Sequence, residues 1–364
     1  MIIRKYLYLC SGMSKNSQLV GMTTMMHFLM DGMCMCCLFL LATAYGDYWG
    51  AYGDRLILGA ILTYNVLAFM SQPLTGQMAD RMTQRHWLLL ASALLLTVAV
   101  AMASLPVKAE WLLILVAVGL GAGNSLFHVW GGKQTVVKMG NDMRVLGVFV
   151  STGALGLAVG AVFGSWVLLY GLLLVYMALA VAYVRWDEAD DTGGQAADDT
   201  GGQAPLCSVN CAQDGASPRV SQSGDSSRVS SMTPVTIWTL VVALMLFVGY
   251  RSFAGEMFSQ GITKSQSLIL TIGAVAMLGK MAGGWIARYV GILKSLMVIL
   301  AGVALCFLFR GRFVWVLLLG IFLMNCTMPI TLYLANLLLP KREGLAFGLL
   351  AAALIPGWLL ATYL

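Results

Sequence analysis

Long apolar runs, each closed by a small polar cluster, divide this chain into eleven segments of membrane-crossing length. They cover roughly residues 19–45, 55–74, 86–105, 111–131, 145–164, 166–184, 234–254, 266–286, 292–309, 313–337 and 343–363. At about 1.5 Å of rise per residue, runs of this length cross ~30 Å of hydrocarbon as α-helices. The pattern predicts an all-α polytopic membrane protein. Polar residues inside the runs are few, and the most conspicuous are His27 and Asp31 in the first run. Residues four apart share one helix face, so imidazole and carboxylate project the same way.

Composition supports the same class: 59% hydrophobic, 10% charged and a mean hydropathy of +0.83 over 364 residues leave too little polar surface for a soluble domain. With the N-terminus in the cytoplasm, fifteen Lys and Arg fall in cytoplasmic loops and five outside, with Arg251 and Lys280 left inside spans. That asymmetry orients the chain. The net charge of +6 then reflects topology and gives no reason to expect a nucleic-acid partner. The first run is too long for a signal peptide and lacks a small-residue cleavage site, so a retained helix is expected. A multi-pass place in the inner (cytoplasmic) membrane follows, with the bilayer as a partner.

Six runs precede a polar break at 185–233 and five follow it, which gives an N-terminal bundle at 1–184, a flexible cytoplasmic linker and a C-terminal bundle at 234–364. Within the break the heptapeptide Asp190 to Ala196 recurs unchanged at Asp198 to Ala204, followed by a Ser-rich tract. Such a composition buries too little apolar surface to fold. Cys34, Cys36, Cys37, Cys306 and Cys326 fall in spans as small apolar residues. Cys10, Cys207 and Cys211 fall on the reducing side, and Cys207 with Cys211 lacks the further ligands a metal site needs. The methionines of the first run do not share a face, which favours core filling over copper binding.

After the second run the chain reads Gly76-Gln-Met-Ala-Asp80-Arg81-Met-Thr-Gln-Arg85. This resembles the loop signature of the major facilitator superfamily, and a degenerate copy stands at Gly279 to Arg288, where Arg288 replaces the aspartate. Gly76 lets helices approach, Asp80 can cap or pair at a helix end, and Arg81 and Arg85 pin the loop to the cytoplasmic face. Within that superfamily the chain resembles the fosmidomycin-resistance drug efflux proteins through several further pieces. These are His27 to Asp31, Gln72-Pro73, Phe127-His128, Arg251-Ser252, Pro329 to Thr331, Leu339 to Gly344 and Phe347-Gly348. Val129 stands where that family has proline. The resemblance implies a major facilitator fold with a solute site between the halves near the midplane. It also implies a twelfth helix that the eleven runs do not supply, whose face a protein partner could fill.

Asp31 sits about twelve residues into its run, ~18 Å along the axis and so near the midplane. An intramembrane carboxylate there exchanges protons or acts as permanent glue between helices, and the first role is the default. His27 relays protons and tunes Asp31, or bonds a neighbouring backbone. His128 contacts an anionic solute, joins the relay, or lies at the interface. Arg251 pairs with an anionic group of the solute or with Asp31, or snorkels to the outer surface; Lys280 is explained by snorkelling. Asn65, Asn124, Asn325 and Gln72 line a cavity or hold helices together. Glycines at 119–123 and 153–164 read as packing faces.

No phosphate-binding loop or soluble domain for an ATPase is present in the sequence, so the expected energy source is a gradient. No nucleophile elbow or paired-carboxylate site supports an enzyme, and no cofactor or metal is expected. The expectation is a secondary transporter exchanging protons for a small drug or metabolite, with Asp31 and His27 for protons and His128, Arg251, Asn65 and Asn124 for solute. Proton-coupled uptake of an organic anion, or a non-transporting scaffold with the same fold, are the rivals.

Overall fold

The computed structural model describes residues 14–82, 86–198, 232–260 and 262–363. Among them, nine helical paths are long and apolar enough to cross a membrane, and two shorter apolar helices, Trp87–Ala103 and Ile292–Leu308, complete eleven crossings. Each coincides with an expected run.

The first crossing is α1 (Lys15–Trp49), started by Ser14, whose side chain accepts from the backbone N–H of Ser17. The second is composite: α2 (Ala51–Asn65), a π-turn at Val66–Met70, and α3 (Gln72–Arg81). Then come α4 (Trp87–Ala103), α5 (Glu110–Met139), α6 (Met143–Val162) and α7 (Trp166–Asp198). The second part holds α8 (Pro234–Ser259), α9 (Gln266–Val290) and α10 (Ile292–Leu308). Two broken crossings follow, α11 (Val314–Cys326) with α12 (Met328–Leu338), and α13 (Glu343–Ala352) with α14 (Leu354–Tyr363). Pro329, in the first turn of α12, cannot donate to the turn before it, which accounts for the break at Thr327.

α7 continues past the expected end of its span into the segment read as linker. Asp187, just past that end, is buried and pairs with Lys138 at the end of α5 and, at 3.4 Å, with His86 before α4. The rest of the linker, with Cys207 and Cys211, lies outside the described residues, as do Cys10 and Arg85.

Two apolar cores result. One is built by α1 to α5 and α7, from Leu19 to Tyr183. The other joins α8 to α14 with Met143, Leu146, Phe149 and Val150 of α6. α6 therefore belongs to the first six crossings in sequence but buries one face in the second core. It packs extensively on both α1 and α9. The other close crossing between the halves is α3 on α13. Both involve the end of the molecule that carries the signature loop.

Candidate functional site

The α1–α6 contact sets the geometry of the site. At Gly153 a Cβ would stand 2.2 Å from the Asp31 Oδ2 and 2.5 Å from the His27 Nε2, so only glycine lets the polar face of α1 lie against α6. His27 Nδ1 is then 2.8 Å from the carbonyl oxygen of Phe149. A carbonyl only accepts, so this nitrogen carries a hydrogen. His128 on α5 repeats the arrangement, with Nδ1 3.1 Å from its own helix's Asn124 carbonyl.

With both Nδ1 atoms donating, the two Nε2 atoms of neutral rings would each offer a lone pair. They lie 2.8 Å apart, face to face. One proton between them turns that contact into an N–H···N bond and gives the pair a single positive charge. Asp31 stands ready to balance it, with Oδ2 3.3 Å from His27 Nε2 and Oδ1 3.7 Å from His128 Nε2. All three side chains are buried. They also offer ligand atoms within 4.8 Å of one another, a spacing a metal ion could use. Two imidazoles on a tetrahedral zinc would hold their nitrogens ~3.3 Å apart, so the shorter contact here fits a proton better.

Asn124, expected to touch solute, lies behind the cluster. It is fully buried, and its amide donates to Asp31 Oδ1 at 3.1 Å and to Tyr64 Oη at 3.0 Å. It holds the carboxylate and does not line the cavity. The reason is its place on α5, one turn from His128 and on the side facing α1. Asn325 is spent on its own helix, donating to the Ile321 carbonyl at 2.8 Å.

In front of the cluster is a cavity of ≈ 480 Å³. His27, Asp31 and His128 form one wall; Arg251 of α8 and Lys280 of α9 reach it from the second half. Arg251 is only 8% exposed and does not snorkel to a surface. Lys280, which sequence reasoning assigned to the interface, lines the cavity as well, because α9 lies along α6 and brings that depth of the helix inward. Asn65 and Gln72 flank the π-turn and both face the cavity; a π-turn inside a helix often marks a functional place. Gln72 keeps its Oε1 buried with no hydrogen-bond partner among the described residues. Apart from Tyr64 and Thr331 the remaining lining is apolar, including Leu38, Phe39, Ile61 and Leu157.

Phe347 of α13 closes the cavity toward the signature end, its ring stacked 6.3 Å from that of His128. Below it the signature residues seal the halves together. Gly76 and Gly344 meet so closely that a Cβ on Gly76 would be 2.3 Å from the Gly344 carbonyl oxygen. Asp80 accepts from the backbone N–H groups of Gly344 at 2.9 Å and Leu345 at 2.8 Å, satisfying the first turn of α13. Lys133 lies 3.6 Å from the same carboxylate. Arg81 is exposed at the end of α3.

The second copy of the motif keeps a latch with its charges exchanged. Gly284 packs on the carbonyl of Met143, and near it Asp142 caps α6. Burial raises the Asp142 carboxyl, but hydrogen bonds from Arg144 and the charges of Arg144 and Arg288 outweigh it and hold the group below the usual carboxylate range. Arg288 therefore faces a carboxylate supplied by the other half.

At the opposite end α14 meets the second crossing at the π-turn, and Ile61 and Tyr64 of α2 and Leu354 of α14 line the cavity. The structure is thus sealed at the signature end. Among curated proteins none matches the chain in sequence. Among solved structures, the human organic anion transporter MFSD10 (TETRAN) is 16% identical, with 96% of this chain and 93% of that one covered and a TM-score of 0.61. The E. coli fucose:proton symporter FucP is 14% identical over 96% of this chain and 91% of that one, with a TM-score of 0.56. A second structure of FucP, in its outward conformation, gives 13% identity and the same coverage and score. At such identities the likeness concerns the fold. The family model of the Major Facilitator Superfamily matches residues 20–362, and the chain belongs to that superfamily.

Proposed function

We propose that the chain is a proton-coupled secondary transporter of a small organic solute, working by alternating access. The observation that carries this reading is the 2.8 Å contact between the His27 and His128 Nε2 atoms, beside Asp31, on the wall of the central cavity. A site that needs one proton to be stable, and that faces the solute, links proton occupancy to solute occupancy. Phe347 stacks on His128 from the other half, so loss of the proton or movement of the ring affects the seal below. The signature end is the cytoplasmic one by the distribution of Lys and Arg, which makes the structure outward-facing.

The resemblance to fosmidomycin-resistance proteins implies export of a drug in exchange for protons. Whether protons and solute move in opposite directions or together turns on the solute's charge: a cation competes with the cluster's proton, while an anion is drawn by it.

The test is solute-driven proton movement in proteoliposomes. The wild-type protein moves protons when a transported solute is supplied, and Asp31→Asn and His27→Gln each abolish that movement while leaving the protein folded. Normal proton movement by Asp31→Asn would sink the assignment.

A further inference from the structure

Two cations, Arg251 and Lys280, face the cavity with no ion-pair partner among the described residues. Arg251 is more than nine-tenths buried, and its Nη1 has no hydrogen-bond partner among the described residues. Lys280 makes no ion pair among them either. The one carboxylate on the cavity wall, Asp31, is already engaged by His27, His128 and Asn124. A guanidinium that stays charged in a buried apolar site needs an anion, and the described residues place none within ion-pair distance of it.

We propose that Arg251 and Lys280 form the head-group site for an organic oxyanion, and that this anion crosses the membrane in the same direction as the proton. This rests on the proton-coupled reading given above only for its second half. The guanidinium offers a planar fork to a carboxylate, sulfonate or phosphoryl group, and the lysine ammonium adds a point charge from the neighbouring helix. The apolar lining from Leu38, Phe39, Ile61 and Leu157 accepts a body of one or two rings, and ≈ 480 Å³ is within the range of sites for molecules of that size.

Charge fixes the direction of coupling. A sphere of this volume is ~10 Å across, and opposite unit charges at that separation in an effective dielectric of ~20 favour joint binding by roughly 15-fold. Linkage makes the effect mutual: the proton on the His27–His128 pair tightens the anion, and the anion tightens the proton. The groups that share this field are Asp31 of α1, Tyr64 of α2, His128 of α5, Arg251 of α8 and Lys280 of α9. Arg251 and Lys280 act on the solute, and the cluster on the proton.

Equilibrium binding to the purified protein, with probes of one size and different charge, tests the proposal. Benzoate and benzenesulfonate should bind about ten-fold or more tightly than benzyl alcohol or benzylamine. Arg251→Gln and Lys280→Gln should each weaken benzoate about ten-fold or more, as expected for loss of a charge-assisted bond, and Arg251→Lys should keep part of the affinity. Benzoate binding should be accompanied by proton uptake from the buffer, since linkage makes the anion and the proton of the His27–His128 pair favour one another. Binding of the amine or alcohol as tight as that of benzoate, or no binding of any probe, overturns the anion site even if the variants fail to fold. Full benzoate affinity in both glutamine variants overturns it too. Selective benzoate binding without benzoate-driven proton movement would instead remove the coupling and leave the anion site in place. Proton movement driven only by benzylamine would leave coupling and remove the anion site.

Discussion

Gly76→Ala is the sharpest probe of how the signature end is held. The added Cβ would stand 2.3 Å from the Gly344 carbonyl oxygen and 2.6 Å from its carbon. Ordinary contact needs at least 3.4 Å, so α3 and α13 must separate by about an ångström along a contact made of backbone on both sides. Backbone cannot step aside as a flexible side chain does, and overpacking of this kind costs about 1–3 kcal/mol. The cost falls only on the state in which α3 and α13 touch, because alternating access parts them in the other state. An equilibrium between the two should therefore shift toward the state open at the signature end by roughly 5- to 150-fold. Spin labels on the exposed residues Gln77 and Lys341 report the separation directly. The alanine variant should add a longer-distance population, and Gly21→Ala, where a Cβ meets nothing within 4 Å, should not. An unchanged distance distribution in a folded Gly76→Ala protein would refute the view that this glycine contact closes the gate.

Three further outcomes follow from the same geometry. Gly153→Ala drives a methyl into the space shared by Asp31 and His27, and solute-driven proton movement in proteoliposomes should fall by about ten-fold or more while solute-independent stability changes by only ~1–3 kcal/mol. Phe347→Ala removes the ring between the cluster and the seal, and should permit proton leak in the absence of solute, measured with a pH-sensitive dye inside vesicles. The Asp142 carboxyl lies below its ordinary value of 3.8, so the stability it lends is complete above that pH and is lost only as the pH falls through the lower folded value. Between about pH 5 and pH 8 the distance between the ends of α6 and α9 should stay constant, and a change in it by spin-label measurement would show that another group controls this latch.

The crossings were legible because an eighteen-residue stretch of lipid-compatible side chains is a property of one segment, readable without knowing its neighbours. His27 and Asp31 were legible for a similar reason, their spacing on one helix. His128 was legible as a polar residue in a span, but its distance from His27 depends on how α5 crosses α1, which no local pattern encodes. Asn124 was misplaced by the same gap: the sequence shows an amide in the membrane and does not show whether cavity or carboxylate lies beside it. Lys280 was read as interfacial from its distance to the helix end, a measure that fails when a helix packs along a partner and turns that depth toward the centre. Arg288 stood only as a replacement of the aspartate in the repeated motif, because its partner Asp142 comes from another helix.

That exchange of charge at the second latch bears on how the two halves move. At the first, Asp80 of the N-terminal half accepts from the start of α13; at the second, Arg288 of the C-terminal half acts on Asp142 at the start of α6. Both carboxylates come from the N-terminal half and each sits at a helix N-terminus at the signature end, Asp80 at that of α13 and Asp142 at that of α6, and the two contacts lie on the two helix pairs that join the halves, α3 with α13 and α6 with α9. α6 with α9 is packed along its length, from the Gly284–Met143 contact to that of Gly273 with Ala158, whereas the second pair diverges beyond the cavity. The longer contact is suited to act as the pivot and the shorter one as the gate. Opening of the signature end then requires release of Asp80 from α13, while the α6 face that carries Phe149, the acceptor for His27, stays in place. The proton proposed for the His27–His128 pair would stay held through that movement, which the proposed coupling needs.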